Sequence, residues 1–143
     1  NLTQALQIIF CFSSDIQERT RCERTIADNT AIIERVAPEY GVSPVLVASI
    51  CAKESRLGID PRAASICGTK IHHRYVSDPE SSIRITANTM RHRACRSLPL
   101  SLSSFRGYGC RSSSYATEIL SIQRRIRCAM STGQRRGGLR RGR

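Results

Sequence analysis

Seven cysteines distributed along 143 residues constrain this chain more than any other feature of its sequence. Between 11 and 29 residues separate successive cysteines, so the closely spaced ligand pairs that are typical of zinc sites are absent. The three histidines do not supply such a site, because His72 and His73 are adjacent and His92 stands alone in a basic segment. Disulfides formed in an oxidising compartment are the simpler interpretation, and neither a metal nor another cofactor is predicted.

The pairing of the cysteines stays open at the level of sequence. Local pairing favours Cys51–Cys67 and Cys95–Cys110, although spacing alone does not determine connectivity. The odd count leaves at least one thiol free, buried or bonded to another molecule. A nucleophilic pair of Cys67 with His73 is a competing interpretation, but buried cysteines in such a chain are most often structural.

The second constraint is charge. Lysine and arginine total 23 against 11 acidic residues, which gives a net charge of +12. A surface this cationic attracts nucleic acid, anionic lipid or the acidic polymers of a cell wall, and composition does not choose among them. The longest apolar stretch, residues 45–52, is far shorter than the ~20 residues that a membrane-spanning helix needs.

The spacing of apolar residues predicts one all-α domain. Ser43 and Pro44 predict the start of a helix over residues 44–54, which is apolar nearly all the way round and should lie in the middle of the core. The preceding helix should end at Pro38 and Gly41.

Two later helices are predicted from their apolar stripes. The first starts at residues 78–80, and the last runs from about residue 115 to 130. We therefore divide the chain into an N-terminal segment (1–24), a helical domain (25–130) and an Arg/Gly-rich tail (131–143) that we expect to be disordered. The inward-facing residues should be Ile83, Ala87, Met90 and Ala94 in the first helix, and Tyr115, Ile119, Ile122 and Ile126 in the second.

Glu54 is the strongest candidate for chemistry. It follows Val47, Ile50 and Cys51 at helical spacing, so its side chain should project from an apolar face in the last turn of the central helix. Partial burial and the helix dipole would both raise its pKa, as a general acid requires. In the alternative interpretation, Glu54 forms an ion pair on a solvated rim with one of three cations: Lys53, Arg56 or Arg62.

Residues 40–55 and 56–65 resemble the soluble lytic transglycosylase and goose-type lysozyme superfamily. In that family a buried helix ends in a Glu-Ser pair, followed by a segment close to Asp-Pro-x-Ala-x-Ser. Residues 78–80 look like the start of the family's next helix, and the loop at 105–110 is similar to its closing third. The resemblance covers roughly residues 35–128 and implies a lysozyme-like helical fold.

The resemblance also implies roles for individual residues. Glu54 matches the general acid/base that cleaves the β-1,4 bond between N-acetylmuramic acid and N-acetylglucosamine in peptidoglycan. Ser55 matches the serine that organises the site, and Tyr115 matches an aromatic residue near the carboxylate. Tyr108 stands where the family has another aromatic, so Ser55, Tyr108 and Tyr115 are candidate substrate-binding residues. In that family either water or the muramic acid's own 6-hydroxyl attacks, and in the second case one carboxyl suffices.

The sequence departs from the family pattern where the family contacts substrate. Residues 66–73 replace the usual Gly-Ala-x-Gly-Leu-Met-Gln type segment, and Phe105, Arg106 and Gly107 replace Tyr-Asn-x-Gly. The departures suggest either a groove for modified glycan, for example glycan without N-acetyl groups, or a domain that binds without cleaving. Asp60 and Asp78 are candidate second acids, but each has the features of a turn or cap residue.

These observations favour a secreted or periplasmic monomer that cleaves peptidoglycan. The five arginines of residues 131–143 would tether it to an anionic wall or membrane surface. Two alternatives remain open: a catalytically silent, cationic wall-binding protein, and a basic nucleic-acid-binding module whose binding would not depend on Glu54. We expect no specific nucleic-acid partner.

Overall fold

The computed structural model describes residues 1–91 and 113–141. Within these ranges the chain is mainly helical, as the sequence predicts. None of the described helices combines the length and apolar character that a bilayer crossing requires. The elements in chain order are α1 (Leu2–Phe10), α2 (Ile16–Val36), a 3-10 helix (Ala37–Tyr40), α3 (Pro44–Ser55), β1 (Lys70–Ile71), β2 (Arg74–Tyr75), α4 (Pro79–Arg91) and α5 (Ser113–Arg141).

Helix α3 is the centre of the core, which confirms the prediction from its composition. It begins after Ser43 with Pro44 in its first turn, and every residue from Leu46 to Ala52 is buried. It packs against α2, α4 and α5. A helix surrounded on all sides can be apolar all round because no part of its middle meets water.

The flanking helices place their apolar stripes against α3. Helix α2 is followed by the 3-10 helix, and Gly41 adopts φ +67, so the chain turns where Pro38 and Gly41 predict. Ala94, predicted to face inward, lies outside the described residues. Residues that are buried as predicted are Ile83, Ala87, Met90, Ile119 and Ile126, and Ile26 and Ile33 of α2 are buried as well. Tyr115 and Ile122, which the stripe also predicts to face inward, are only partly buried against the core.

The N-terminal segment belongs to the same packed body as the rest of the helices. Leu2, Ala5 and Leu6 of α1 are buried, and α1 packs against α2 and α5. Helix α2 runs through residue 24, so the predicted boundary falls inside a helix. The spacing of apolar residues does not indicate this packing, because α1 is short and its apolar residues gain a partner only through tertiary contacts.

The C-terminal helix is longer than the sequence predicts. Helix α5 continues to Arg141, whereas the apolar stripe predicts an end near Met130 followed by disorder. Arginine and glutamine are good helix formers, and a helix that packing has already nucleated extends at little further cost. In the structure these two effects outweigh the low helix propensity of the glycines at 133, 137 and 138.

Two disulfides among the described residues link segments that are close in sequence. The predicted Cys51–Cys67 bond is confirmed, and a second bond, which the sequence analysis did not predict, joins Cys11 to Cys22. Cys128 is free and exposed on α5. The proposed pair of Cys95 with Cys110 lies outside the described residues.

Candidate active site

Glu54 lies in the last turn of α3 and is exposed, so the expected partial burial is wrong. Residues 46–52 are buried on every side of α3, and the helix leaves the core only in its last turn. Because the whole middle of the helix is buried, helical spacing from Val47, Ile50 and Cys51 does not show where its end is covered. The structure therefore presents Glu54 as an accessible carboxylate.

The carboxylate of Glu54 contacts a residue that is 61 positions away in the sequence. The Tyr115 hydroxyl, on the first turns of α5, donates a hydrogen bond to Oε1 of Glu54 over 3.2 Å. The structure thus brings together the two residues that the family resemblance pairs. The hydrogen bond orients one carboxylate oxygen and leaves the other without this partner.

A second pair of charges, which the sequence analysis missed, lies beside this contact. Lys53 Nζ is 2.6 Å from Oε2 of Glu118 and 5.6 Å from the centre of the Tyr115 ring. Glu118 follows Tyr115 by three positions on α5, so the two side chains are on one face of the helix. That spacing is the signal that could have indicated Glu118, but only once α5 was known to cross α3.

Gly68 approaches Glu54 from the other side. A Cβ atom at position 68 would lie 2.6 Å from Oε2 of Glu54, and Gly68 adopts φ +67. Only glycine combines this backbone conformation with this close approach without strain. The neighbouring disulfide between Cys67 and Cys51, one helical turn before Glu54, attaches the Gly68 loop to α3.

Ser55 is buried and its hydroxyl hydrogen-bonds to the following loop, which argues against the predicted direct contact with substrate. Its exposed fraction is 1%, and its hydroxyl donates to the carbonyl of Ile66 over 2.6 Å. The same oxygen accepts from the backbone N–H of Gly58 over 2.8 Å. A hydroxyl engaged in this way can organise the site, as the family resemblance also implies, but has no surface for a ligand.

Buried hydroxyl groups connect the loop over residues 65–69 to α4. Ser82 Oγ lies 2.9 Å from both Ser65 Oγ and Thr69 Oγ1, and Thr69 Oγ1 lies 3.1 Å from Thr86 Oγ1. The backbone N–H of Cys67 also donates to Ser82 Oγ over 3.3 Å. Since all four hydroxyls are buried, their hydrogen bonds do not compete with water and fix the loop that carries Gly68.

The chain turns sharply after the Glu-Ser pair. Arg56 and Leu57 both adopt positive φ, at 53° and 59°, and their N–H groups donate to the last carbonyls of α3. Leu57 is fully buried, and this burial offsets the strain of a non-glycine residue in the left-handed region. The turn is what returns the chain toward Cys67 and Gly68.

The two alternative acids are engaged elsewhere, as expected for turn and cap residues. Asp60 accepts hydrogen bonds from the Arg62 backbone and side chain, which lower the pKa of its carboxyl. Asp78 accepts from the hydroxyl and N–H of Ser81 at the start of α4, and its pKa is also lowered. A carboxyl with a lowered pKa is poorly suited to donate a proton near neutral pH.

The remaining candidates from the sequence are the Cys67–His73 pair, Tyr108 and a metal site. Cys67 is disulfide-bonded, so the alternative nucleophilic pair with His73 is excluded. Tyr108 lies outside the described residues. No group of three or more His, Cys, Asp or Glu side chains within 1–91 and 113–141 could hold a metal ion.

Glu54 does not line either of two cavities in the described part of the chain. A groove of about 770 Å³ lies beside the Cys11–Cys22 disulfide, and a smaller one of about 200 Å³ lies between Asn29 and Pro79. Glu54 instead stands on open surface between Tyr115 and Gly68.

Comparison with known proteins adds no identity. No protein-family model, no curated protein sequence and no solved structure matches this chain. An assignment of function therefore depends on the residues and contacts described above.

Proposed function

We propose that this chain is a peptidoglycan-cleaving glycosidase that uses Glu54 as its general acid/base. The observation that carries the proposal is the exposed Glu54 carboxylate. One of its oxygens accepts a hydrogen bond from Tyr115, and the other lies close to the backbone of Gly68. The substrate class follows from the resemblance of residues 40–65 to lytic transglycosylases and goose-type lysozymes. The reaction is cleavage of the β-1,4 bond between N-acetylmuramic acid and N-acetylglucosamine.

A single carboxyl is sufficient for this reaction. Protonated Glu54 gives its proton to the glycosidic oxygen as the bond from the muramic acid C1 to that oxygen breaks. The carboxylate then takes a proton from the attacking water or from the muramic acid's 6-hydroxyl as the new bond to C1 forms. The hydrogen bond from Tyr115 would hold the carboxyl in one orientation through both proton transfers.

The other acids near the site favour this one-carboxyl scheme. Glu118 is ion-paired with Lys53, and Asp60 and Asp78 serve as turn and cap residues. Because these three carboxylates have partners of their own, we assign both proton transfers to Glu54 rather than to the usual pair of carboxylates. This arrangement supports attack by water or by the substrate's own hydroxyl.

Charge and disulfides support a location at the cell wall. A net charge of +12 concentrates the protein on an anionic polymer, and two disulfides are compatible with an exported protein. We propose that the wall is the partner surface and that the enzyme works outside the reducing cytosol. The altered segment 66–73 leads us to include deacetylated glycan as a candidate substrate.

The test is sugar release from purified peptidoglycan by the wild type and the Glu54→Gln variant. The substitution should lower release by about a thousandfold, because it removes the proton donor while keeping the shape of the side chain. The matched control is Glu34→Gln, an exposed glutamate on α2, which should leave release unchanged. Acetylated and deacetylated walls run side by side would identify the preferred glycan, and products lighter by one water would mark anhydro ends.

The Tyr115→Phe variant tests the contact itself. Loss of one hydrogen bond to the carboxylate should reduce release by about tenfold, without affecting adsorption to the wall. No release by the wild type from either wall, with adsorption retained, would instead identify a catalytically silent wall-binding protein. Salt-sensitive binding to DNA that is indifferent to Glu54→Gln would favour the nucleic-acid-binding alternative.

A further inference from the structure

The turn from α1 into α2 exposes apolar side chains that the rest of the molecule does not cover. We call residues 8–22 the α1–α2 corner. Ile8, Phe12 and Ile16 are exposed to 64%, 74% and 70%, and they are three of the five large exposed hydrophobic residues in the described chain. Single exposed apolar residues are ordinary on protein surfaces, whereas three within nine positions form a patch that indicates an interaction site.

The corner is held in this exposed conformation. The Cys11–Cys22 disulfide joins the end of α1 to the second turn of α2. Asp15 caps α2 through the N–H of Glu18, and Ser13 donates to the carboxylate of Glu18. Phe12 lies between these constraints, so the corner cannot readily fold its apolar side chain back into the core.

The groove beside the corner combines apolar and cationic surface. Phe10, Phe12, Ile59 and Pro61 supply apolar lining to its volume of about 770 Å³. Its charged lining is Arg19, Arg21 and Arg56 against the single carboxylate of Glu18. The Arg56 guanidinium lies 5.8 Å from the centre of the Phe10 ring. Among the described residues, Arg21 and Arg56 have no carboxylate within ion-pair distance, whereas Arg19 is 3.7 Å from Glu23.

We propose that the α1–α2 corner docks on an anionic lipid bilayer, with Phe12 and Ile16 entering the interface and the arginines contacting lipid phosphates. A bilayer presents apolar chains and negative headgroups at neighbouring depths, which matches an apolar patch flanked by cations. Ile8 and Ile16 do not line the groove, so a peptide bound in the groove would leave them exposed. A bilayer surface can cover the patch and the groove together.

Fluorescence provides a direct test because the chain contains no tryptophan. A Phe12→Trp variant carries a single reporter at the corner, and its emission should shift to the blue on vesicles of phosphatidylcholine with phosphatidylglycerol. Brominated lipid chains in those vesicles should quench it. The matched control is Tyr75→Trp, on the exposed β2 strand. Its emission should not change when these vesicles are added, with or without brominated chains.

Vesicle cosedimentation then measures how much the apolar contact contributes. Phe12→Ser should weaken partition into the anionic vesicles by about tenfold, the loss expected for one aromatic side chain left in water. Ile71→Ser, which removes an exposed hydrophobic residue of the β1 strand, should leave partition unchanged. Glu54→Gln should bind the vesicles like the wild type, so this test is independent of the proposed glycosidase activity.

Three results would overturn the proposal. Equal emission of the Phe12→Trp variant with and without anionic vesicles would show that the corner does not enter lipid. Binding that is lost in an Arg19→Gln/Arg21→Gln variant but unchanged by Phe12→Ser would indicate adsorption by charge alone. A concentration-dependent dimer that Phe12→Ser abolishes would make a second copy of this chain the occupant of the patch.

Discussion

Two segments of this molecule are fastened to helices by disulfides, yet they present opposite chemistry. Cys51–Cys67 holds the Gly68 loop against the end of α3, where the exposed group is the Glu54 carboxylate. Cys11–Cys22 holds the α1–α2 corner, where the exposed groups are apolar. The same covalent device therefore supports a polar site in one place and an apolar patch in the other.

The difference lies in what surrounds each bond. Around Cys67, the buried hydroxyls of Ser65, Thr69, Ser82 and Thr86 connect the loop to α4. Around the corner, the hydrogen bonds are those of exposed cap residues such as Ser13 and Asp15. A general acid must be placed to a fraction of an ångström, whereas an apolar patch only has to stay outside the core. The buried network is the feature that distinguishes the proposed active site.

The largest effects should come from removing the disulfides one at a time. Cys51→Ser/Cys67→Ser and Cys11→Ser/Cys22→Ser should each lower the free energy of unfolding by about 3 kcal/mol, since the closed loops span similar lengths. Sugar release should fall mainly in the first variant, and vesicle partition mainly in the second. Urea unfolding with both assays on the same preparations measures this. Equal loss of both activities in both variants would contradict the separation of the two regions.

A smaller effect is expected from the centre of the hydroxyl network. Ser82→Ala leaves the buried N–H of Cys67 without its partner and removes one of the two hydrogen bonds of the Ser65 hydroxyl, which should lower the free energy of unfolding by about 2 kcal/mol. The control is Ser49→Ala, whose equally buried hydroxyl donates to the carbonyl of Val45 in its own helix. Ser49→Ala should change the free energy of unfolding by no more than about 0.5 kcal/mol, because alanine is the better helix former. Equal costs in urea unfolding would show that the network is not special.

The sequence predicted the framework of the site better than its surface. The Ser43-Pro44 start and the unbroken apolar composition are local signals, so α3 and its central place were predictable and are confirmed. The exposure of Glu54 depends on where α3 leaves the core, which is a tertiary property. The approach of Gly68 was equally unpredictable, because its φ of +67 and its contact with Glu54 depend on the loop's attachment to α4.

Short-range covalent and helical patterns also had limits. Cys51–Cys67 was correctly chosen as a local pair, but Cys11–Cys22 was missed although its separation of 11 residues is shorter than that of 16. The pairing depends on α1 turning back against α2, and a nine-residue helix gives little sequence evidence of its own packing. The contact of Tyr115 with Glu54 was expected only from family resemblance, because no local pattern links positions 61 apart.

A sharper test of the proposed active site uses two glycines with the same backbone conformation. Gly68→Ala and Gly41→Ala both place a Cβ at φ +67, and each should lower the free energy of unfolding by about 1 kcal/mol. Only the Cβ at 68 meets Glu54, since nothing lies within 4 Å of the one at 41. Sugar release should therefore fall by about tenfold or more in Gly68→Ala alone, through displacement of the carboxylate. Equal release by the two variants would show that the approach of Gly68 does not position Glu54.

The smallest expected effect concerns the helix that carries the hydroxyl network. Hydrogen bonds from the Ser81 hydroxyl and N–H hold the pKa of Asp78 below its ordinary value of 3.8. Because the folded pKa is the lower one, the stabilisation is present above 3.8 and is lost as the pH falls through the folded value. Asp78→Asn keeps the cap but does not titrate, so its unfolding midpoint should fall less on acidification than that of the wild type. The control is Asp28→Asn, on the exposed surface midway along α2. Its unfolding midpoint should fall on acidification as much as that of the wild type. Unchanged acid sensitivity in Asp78→Asn would mean that other carboxylates hold the α4 end of the site together in acid.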